Sequence, residues 1–164
     1  MEAAEKPESY NPIDLVESIF ARNALDFERR SEGEIAVEVQ GKWNNMLLFF
    51  SFEASMRCLH LSCLIDVKTL IKDKSKVFEL LALANENLWM GHFSYWSEES
   101  MPVFKHSVIL SDAGDVFRHK LEAMIDIAIR ECERMYPVFN AVLSAGMEPS
   151  QAMFPMLMET IGQA

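Results

Sequence analysis

The sequence has little of what several large functional classes require. Its 6 glycines stand singly along 164 residues, so no glycine-rich loop is present to cradle a phosphate or a dinucleotide. Basic residues are in the minority: the sequence has 15 Lys and Arg and 25 Asp and Glu, which gives a net charge of −10. Phosphate neutralisation needs a basic face, so this balance argues against nucleic acid as a partner. It also disfavours an anionic membrane surface.

Cysteine is scarce as well. Cys58, Cys63 and Cys132 form no CxxC pair and no even disulfide framework. Cys58 and Cys63 are an odd number of positions apart on one predicted strand, so they face opposite sides and a bridge between them is unfavourable. Free, buried thiols in a reducing compartment are the expectation. The acidic N-terminus lacks a signal-like apolar segment and no run reaches transmembrane length, so we expect a cytoplasmic protein.

The chain has the length of one domain, and 50% of its residues are hydrophobic. Residues 1–10 are polar and are predicted to be a flexible N-terminus. Asn11 and Pro12 are a typical helix start, with Asn as the cap and Pro at the first helical position. We predict a first helix from Pro12 to about Leu25.

Three strands are predicted next. Ile35, Val37 and Val39 alternate with polar residues, which indicates a strand with one wet face. Residues 46–52 are apolar on both faces, which predicts a central strand that is covered on both sides. Residues 57–67 form a third strand, and the short connections predict an antiparallel meander.

Residues 73–89 read as a second helix whose apolar surface is wider than one stripe. Its main face and the flanking apolar positions comprise Val77, Leu80, Leu81, Ala84, Leu88, Phe78, Ala82, Leu83 and Trp89. Gly91 can take the left-handed conformation that closes a helix. A hairpin then follows, with residues 97–100 as its polar turn.

A long helix is expected to begin at a cap, Ser111 or Asp112, and to continue to about Leu143. Pro137 cannot donate a hydrogen bond to the carbonyl of Glu133, so we predict a kink or break near Tyr136. Pro149 opens a final Met-rich helix. The fold class is therefore α+β: an antiparallel sheet of about five strands packed by helices in α-β-β-β-α-β-β-α order, with an extra C-terminal helix. Residues 11–145 form the main domain and 146–164 the added helix.

Several short segments match a known pattern. They are Asn11-Pro12-Ile13, Asn85-Glu86-Asn87, Gly91-His92-Phe93 and Val103-Phe104-Lys105-His106. With this element order, the chain resembles the YbjN-like family, described as bacterial sensory transduction regulators, and is similar in fold to type III secretion chaperones. The resemblance spans roughly Asn11 to Leu143. It implies a homodimer with a surface that binds another polypeptide.

The sequence offers weak signs of chemistry. His92 and His106 could approach each other across the hairpin, but a metal site needs a further ligand, and the glutamates of the turn are poorly placed. Cys58 and His60 share a strand face without an orienting third group. We predict a non-enzymatic protein with no catalytic, cofactor-binding or metal-binding residues and no cofactor.

Two functions remain open. The first is a homodimer that engages an unidentified protein partner and binds neither nucleic acid nor membrane. Its candidate partner or dimer surface comprises Phe78, Leu81, Leu88, Trp89, Met153, Met156 and Met158. The Met-rich helix could equally fold back on its own core. The second is a small-molecule sensor whose pocket is lined by Trp43, Trp89, Trp96, Phe93 and Tyr95, although such aromatics also commonly fill a core.

Overall fold

Six strands form one antiparallel sheet in the order β1-β2-β3-β4-β6-β5. The structure is a computed structural model that describes residues 11–110 and 115–161. The strands are β1 (Phe27–Ser31), β2 (Glu34–Gln40), β3 (Asn45–Glu53), β4 (Cys58–Leu64), β5 (His92–Trp96) and β6 (Met101–Ile109). The helices are α1 (Pro12–Arg22), α2 (Lys74–Glu86), α3 (Asp115–Phe139) and α4 (Pro149–Ile161). The predicted α+β class is confirmed, with six strands instead of about five.

The helices cover one face of the sheet. The strand register places a row of side chains across the sheet on this face, and each of them is buried: Val37, Leu48, Cys63, Phe104 and Phe93. The alternate side chains of the same strands point to the other face, which no described helix covers. Cys63 lies in the core row and Cys58 on the open face, as their spacing predicted.

The sequence prediction missed β1, because its Phe-Glu-Arg-Arg-Ser segment has no apolar alternation. Arg29 lies opposite Ile35 on the helix-covered side. Its guanidinium lies 2.7 Å from the carboxylate of Asp14 and 2.8 Å from that of Glu17, both on α1. Ion pairs to α1 therefore take the place of apolar contacts at this edge of the sheet.

The predicted ends of the first two helices were both too late. The first helix ends at Arg22, and Ala24 beyond it takes a left-handed φ of 52°. The second helix begins after Asp73, whose carboxylate accepts the Ser75 amide, and it ends at Glu86. Gly91 has the predicted left-handed conformation, at φ 71°, but it lies beyond the helix at the start of β5.

We predicted a kink or break near Tyr136, and the structure shows no break there. Helix α3 continues through Pro137 to Phe139, and a π-helical turn follows at Asn140–Ser144. Proline leaves the carbonyl of Glu133 without its helical donor. The indole Nε1–H of Trp43 donates to that carbonyl at 3.1 Å, so the freed acceptor is satisfied from the β2–β3 turn. The predicted cap at Ser111 or Asp112 and the flexible N-terminus lie outside the described residues.

The prediction that β3 is covered on both sides was also wrong. Met46, Leu48 and Phe50 are buried under the helices, whereas Leu47 and Phe49 on the open face are only half-buried. Within the described residues, no helix is both long and apolar enough to cross a membrane.

Candidate interaction surface

Two packed helices, α2 and α4, and the segment just after α2 carry exposed apolar side chains that we call the α2–α4 surface. It comprises Phe78 (63% exposed), Trp89 (100%), Phe154 (61%), Leu157 (44%) and Met158 (53%). Phe154, Leu157 and Met158 share one stripe of α4, because positions three and four apart lie on the same side of a helix. Exposed apolar groups of this size on one side of a molecule mark interaction sites more often than single exposed residues do.

The composition of α2 explains why this surface exists. Val77, Leu80 and Ala84 fill the core, and Leu81 and Leu88 are half-buried against it. The helix has more apolar positions than one sheet-facing stripe can bury. Phe78 on the helix and Trp89 just after it are therefore exposed to solvent.

The structure divides the seven side chains that the sequence predicted for a partner surface. Phe78, Trp89 and Met158 are exposed; Leu81, Leu88 and Met156 are half-buried at the border of the core. Met153 is 5% exposed and lies in the core of the protomer, so it is not available at the surface. Phe154 and Leu157 were missed, although the spacings of three and four that relate Phe154 to Leu157 and to Met158 were visible in the sequence.

The five aromatics of the predicted sensor pocket do not meet. Phe93 is buried, with its ring 5.4 Å from that of Phe104 and 5.3 Å from that of Phe139. Trp43 stacks on Tyr136 over α3, and Trp89 is fully exposed beyond α2. Trp96 lies on the open face of the sheet beside a cavity that Tyr95 also lines, and the Tyr95 hydroxyl donates to Thr69 and accepts from Lys74 of α2.

The histidine pair does not converge either. His92 lies opposite Lys105 on the open face, whereas His106 is opposite Leu61 on the helix-covered face. Across the part of the chain that the structure describes, no group of three or more His, Cys, Asp or Glu could hold a metal ion.

His60 is held by hydroxyls instead of a thiol. Its Nδ1 lies 2.7 Å from Ser107 Oγ and its Nε2 lies 2.9 Å from Ser62 Oγ. Burial, and then the nearby charges of Lys105 and His92, lower the pKa of His60. The Cys58 thiol lies 4.0 Å from the backbone carbonyl oxygen of Leu59, and both ring nitrogens of His60 contact serine hydroxyls, so a thiol–imidazole pair is not formed.

A thiol pair that the sequence did not predict joins β4 to α3. The hydrogen bond with Cys63, and then burial, raise the pKa of Cys132 well above its usual value. Both thiols are buried and all three cysteines are free. A protonated, buried thiol is a poor nucleophile, and Cys132 packs in the core.

Two solved structures are similar in fold to this chain. A chain in the crystal structure of the ExsC–ExsE complex matches with a TM-score of 0.56 and 15% identity, covering 75% of this chain and 89% of that one. The crystal structure of "YbjN, a putative transcription regulator from E. coli" matches with a TM-score of 0.51 and 10% identity, covering 79% and 91%. The protein has the type III secretion chaperone-like fold that the element order predicted.

The family can be stated as well. The sequence pattern of the YbjN family, described as "Putative bacterial sensory transduction regulator", matches residues 12–141. The chain belongs to the YbjN family. No curated protein matches it significantly.

Proposed function

We propose that this protein is a non-enzymatic, protein-binding regulatory module that forms a homodimer through the α2–α4 surface. The observation that carries the proposal is the exposure of Phe78 and Phe154 on two packed helices and of Trp89 just after α2. The fold supports the proposal, because a chain of similar fold is part of the crystallised ExsC–ExsE complex. The free thiols fit action in the reducing cytoplasm.

A second copy of the chain is the occupant that fits this surface best. Homodimer interfaces are more apolar than other interfaces, and aromatic side chains dominate their binding energy. A two-fold interface also needs only one self-complementary patch on each subunit. The α2–α4 surface supplies such a patch, with aromatic and methionine side chains that can interdigitate.

The test is the solution mass of the protein. We expect a dimer at micromolar concentration by light scattering, and we expect Phe78→Glu and Met158→Glu to yield folded monomers. Substitution of a hot-spot side chain typically costs about 2 kcal/mol or more of binding free energy. Leu81 and Leu88 are less suitable for substitution, because they also pack against the core.

Met56→Glu is the matched control, since Met56 is 65% exposed on the turn between β3 and β4. It should leave the mass of the dimer unchanged. A wild-type protein that stays monomeric at high micromolar concentration would remove the proposal, and so would an undisturbed dimer in both α2–α4 variants.

The small-molecule sensor keeps one supporting observation, the position of Tyr95 and Trp96 beside a cavity of about 370 Å³. A thermal-shift screen against metabolites tests it, because a ligand that binds the folded state raises the melting temperature.

A further inference from the structure

A small cavity lies between the β2–β3 turn and α3. Its volume is about 10 Å³, and the residues that line it include Gly41, Asn44, Met46, Cys132 and Glu133. This volume is at the lower end of what one water molecule needs. The cavity therefore has room for a single molecule or ion of that size and for nothing larger.

The side-chain amide of Asn44 makes one wall of this cavity polar. Its Nδ2 atom is buried and has no hydrogen-bond partner among the residues that the structure describes. Buried amide groups are nearly always paired with the protein or with ordered water, because an unpaired buried donor is costly. In the neighbouring Asn45, which is exposed, Nδ2 donates to Glu38 Oε1 at 2.6 Å. The buried Asn44 amide therefore indicates a bound group that accepts a hydrogen bond.

The Glu133 carboxylate supplies an acceptor to the same cavity. Its Oε1 accepts the Lys42 amide at 2.8 Å. A Cβ atom built on Gly41, which also lines the cavity, would lie 3.5 Å from that oxygen. A carboxylate has about four lone-pair sites, so Glu133 can accept a further hydrogen bond. The cavity thus offers a donor on the turn and an acceptor on α3.

These walls favour a neutral molecule over an ion. A bound anion would face the Glu133 carboxylate, and a bound cation would face the amide hydrogens of Asn44. Metal ions also need several ligand atoms, and within the described residues no group of three or more His, Cys, Asp or Glu could hold one. Water has the right size, accepts from a donor and donates to an acceptor.

We propose that this cavity is the binding site of one structural water molecule. The water accepts a hydrogen bond from Asn44 Nδ2 and donates one to the Glu133 carboxylate. Cys132 lines the same cavity, and its sulfur, a weak acceptor, is the third partner. Buried waters typically make about three hydrogen bonds of this kind.

The water extends the contact between the β2–β3 turn and α3. Two hydrogen bonds reach Glu133 directly from this turn, one from the Lys42 amide to the carboxylate and one from the Trp43 indole to the backbone carbonyl. That carbonyl can accept because Pro137 has no N–H. Asn44 is the next residue of the turn, and it reaches Glu133 through the water.

NMR spectroscopy of the full chain tests the site through magnetisation transfer from water. Cross-peaks to water are measured for the side-chain amides of Asn44 and Asn45 and for the methyl group of Met46, which lines the cavity. We expect Asn44 and Met46 to show the nuclear Overhauser effect of a long-lived bound water. Exposed Asn45 should show only that of mobile surface water, and rotating-frame spectra separate these peaks from proton exchange.

Asn44→Leu is the test variant, because it removes the amide and keeps a side chain of similar size. Asn45→Leu is the matched control. We expect the water peak at Met46 to disappear in Asn44→Leu and to persist in Asn45→Leu. Thermal melting shows whether the variants are folded. If Asn44→Leu does not fold, the comparison of Asn44 with Asn45 in the wild-type protein decides the proposal by itself.

Three results would overturn the proposal. The first is a water peak at Asn44 no stronger than that at Asn45, and the second is a Met46 peak that survives in folded Asn44→Leu. The third comes from a crystal structure, in which we expect electron density at about 2.7–3.2 Å from both Asn44 Nδ2 and a Glu133 oxygen. A cavity without density would contradict the water, and density at about 2.0–2.6 Å from oxygen atoms alone would assign a metal ion instead.

Discussion

Gly91 lies between α2 and β5 with a φ of 71°, a conformation that L side chains rarely adopt. A Cβ atom at this position would stand 2.2 Å from Phe104 Cζ and 2.9 Å from the carbonyl oxygen of Lys105. The glycine therefore lets the chain enter β5 directly over a buried ring.

We predict that Gly91→Ala lowers the free energy of unfolding by roughly 2–4 kcal/mol, which combines the cost of the left-handed backbone with that of overpacking. Urea unfolding measures this change. Gly33→Ala is the control: the new Cβ would lie 3.3 Å from the Phe52 carbonyl oxygen, and its φ is not left-handed. A loss at Gly91 no larger than that at Gly33 would contradict the argument.

His60 makes the stability depend on pH. Its pKa is lowered in the folded protein by burial, and then by Lys105, His92 and His106. The unfolded chain therefore binds a proton more readily than the folded one, so stability is full above the unfolded value of about 6.5. It is lost as the pH falls from that value through the lower pKa of the folded state.

We predict that His60→Gln flattens the decline in unfolding free energy between about pH 7 and pH 5, as measured by urea unfolding at each pH. His119→Gln is the matched control, because the His119 side chain is 80% exposed on α3. An unchanged slope in His60→Gln would show that another group causes the decline.

At the scale of elements, the β2–β3 turn and α3 stabilise each other at Pro137. The Trp43 indole donates to the Glu133 carbonyl at 3.1 Å, and the Lys42 amide donates to the Glu133 carboxylate at 2.8 Å. The Trp43 ring also stacks on Tyr136, with an interplanar angle of 8°. A helix that contains proline thus remains continuous because another element supplies the missing donor.

We predict that Trp43→Phe destabilises the protein by about 1 kcal/mol, since the stacked ring is retained while one hydrogen bond is lost. In a Pro137→Ala background the helix supplies its own donor to Glu133, so the same change should cost less. A double-mutant cycle by urea unfolding measures this coupling. Additive effects would mean that the indole does not compensate for the proline.

The elements differ in how far the sequence predicts them. Alternation in β2 and the Asn11 cap of α1 depend on neighbouring residues, so local patterns locate them well. β1 depends on Arg29 meeting Asp14 and Glu17 of another element, which no local pattern shows. The continuity of α3 likewise depends on Trp43, a residue distant in the chain.

At the scale of the molecule, the sequence shows how much apolar surface exists but not which part the fold leaves open. Residues 46–52 are apolar on both faces, which is typical of a doubly covered strand. All four helices pack on the same side of the sheet, so Leu47 and Phe49 are left on the open face. The surplus on α2 was predictable from its width, whereas the arrangement of the open face needs the strand register, which places Lys105 beside Ser62 and Ser62 beside Phe49.

In the proposed dimer, the net charge and the α2–α4 surface act against each other. At neutral pH two copies that each carry −10 repel each other, while the apolar side chains of α2 and α4 attract. The sequence isoelectric point is about 4.8, so acidification removes the repulsion and leaves the apolar attraction.

We predict that the dimer dissociation constant falls as the pH is lowered from about 7 to about 5, and that added salt at neutral pH has the same effect by screening. Sedimentation at several concentrations measures both. Phe78→Ser removes an aromatic ring without changing the charge, so it should weaken association at every pH. A dissociation constant that is independent of pH, or one that is the same in Phe78→Ser as in the wild-type protein, would contradict the prediction.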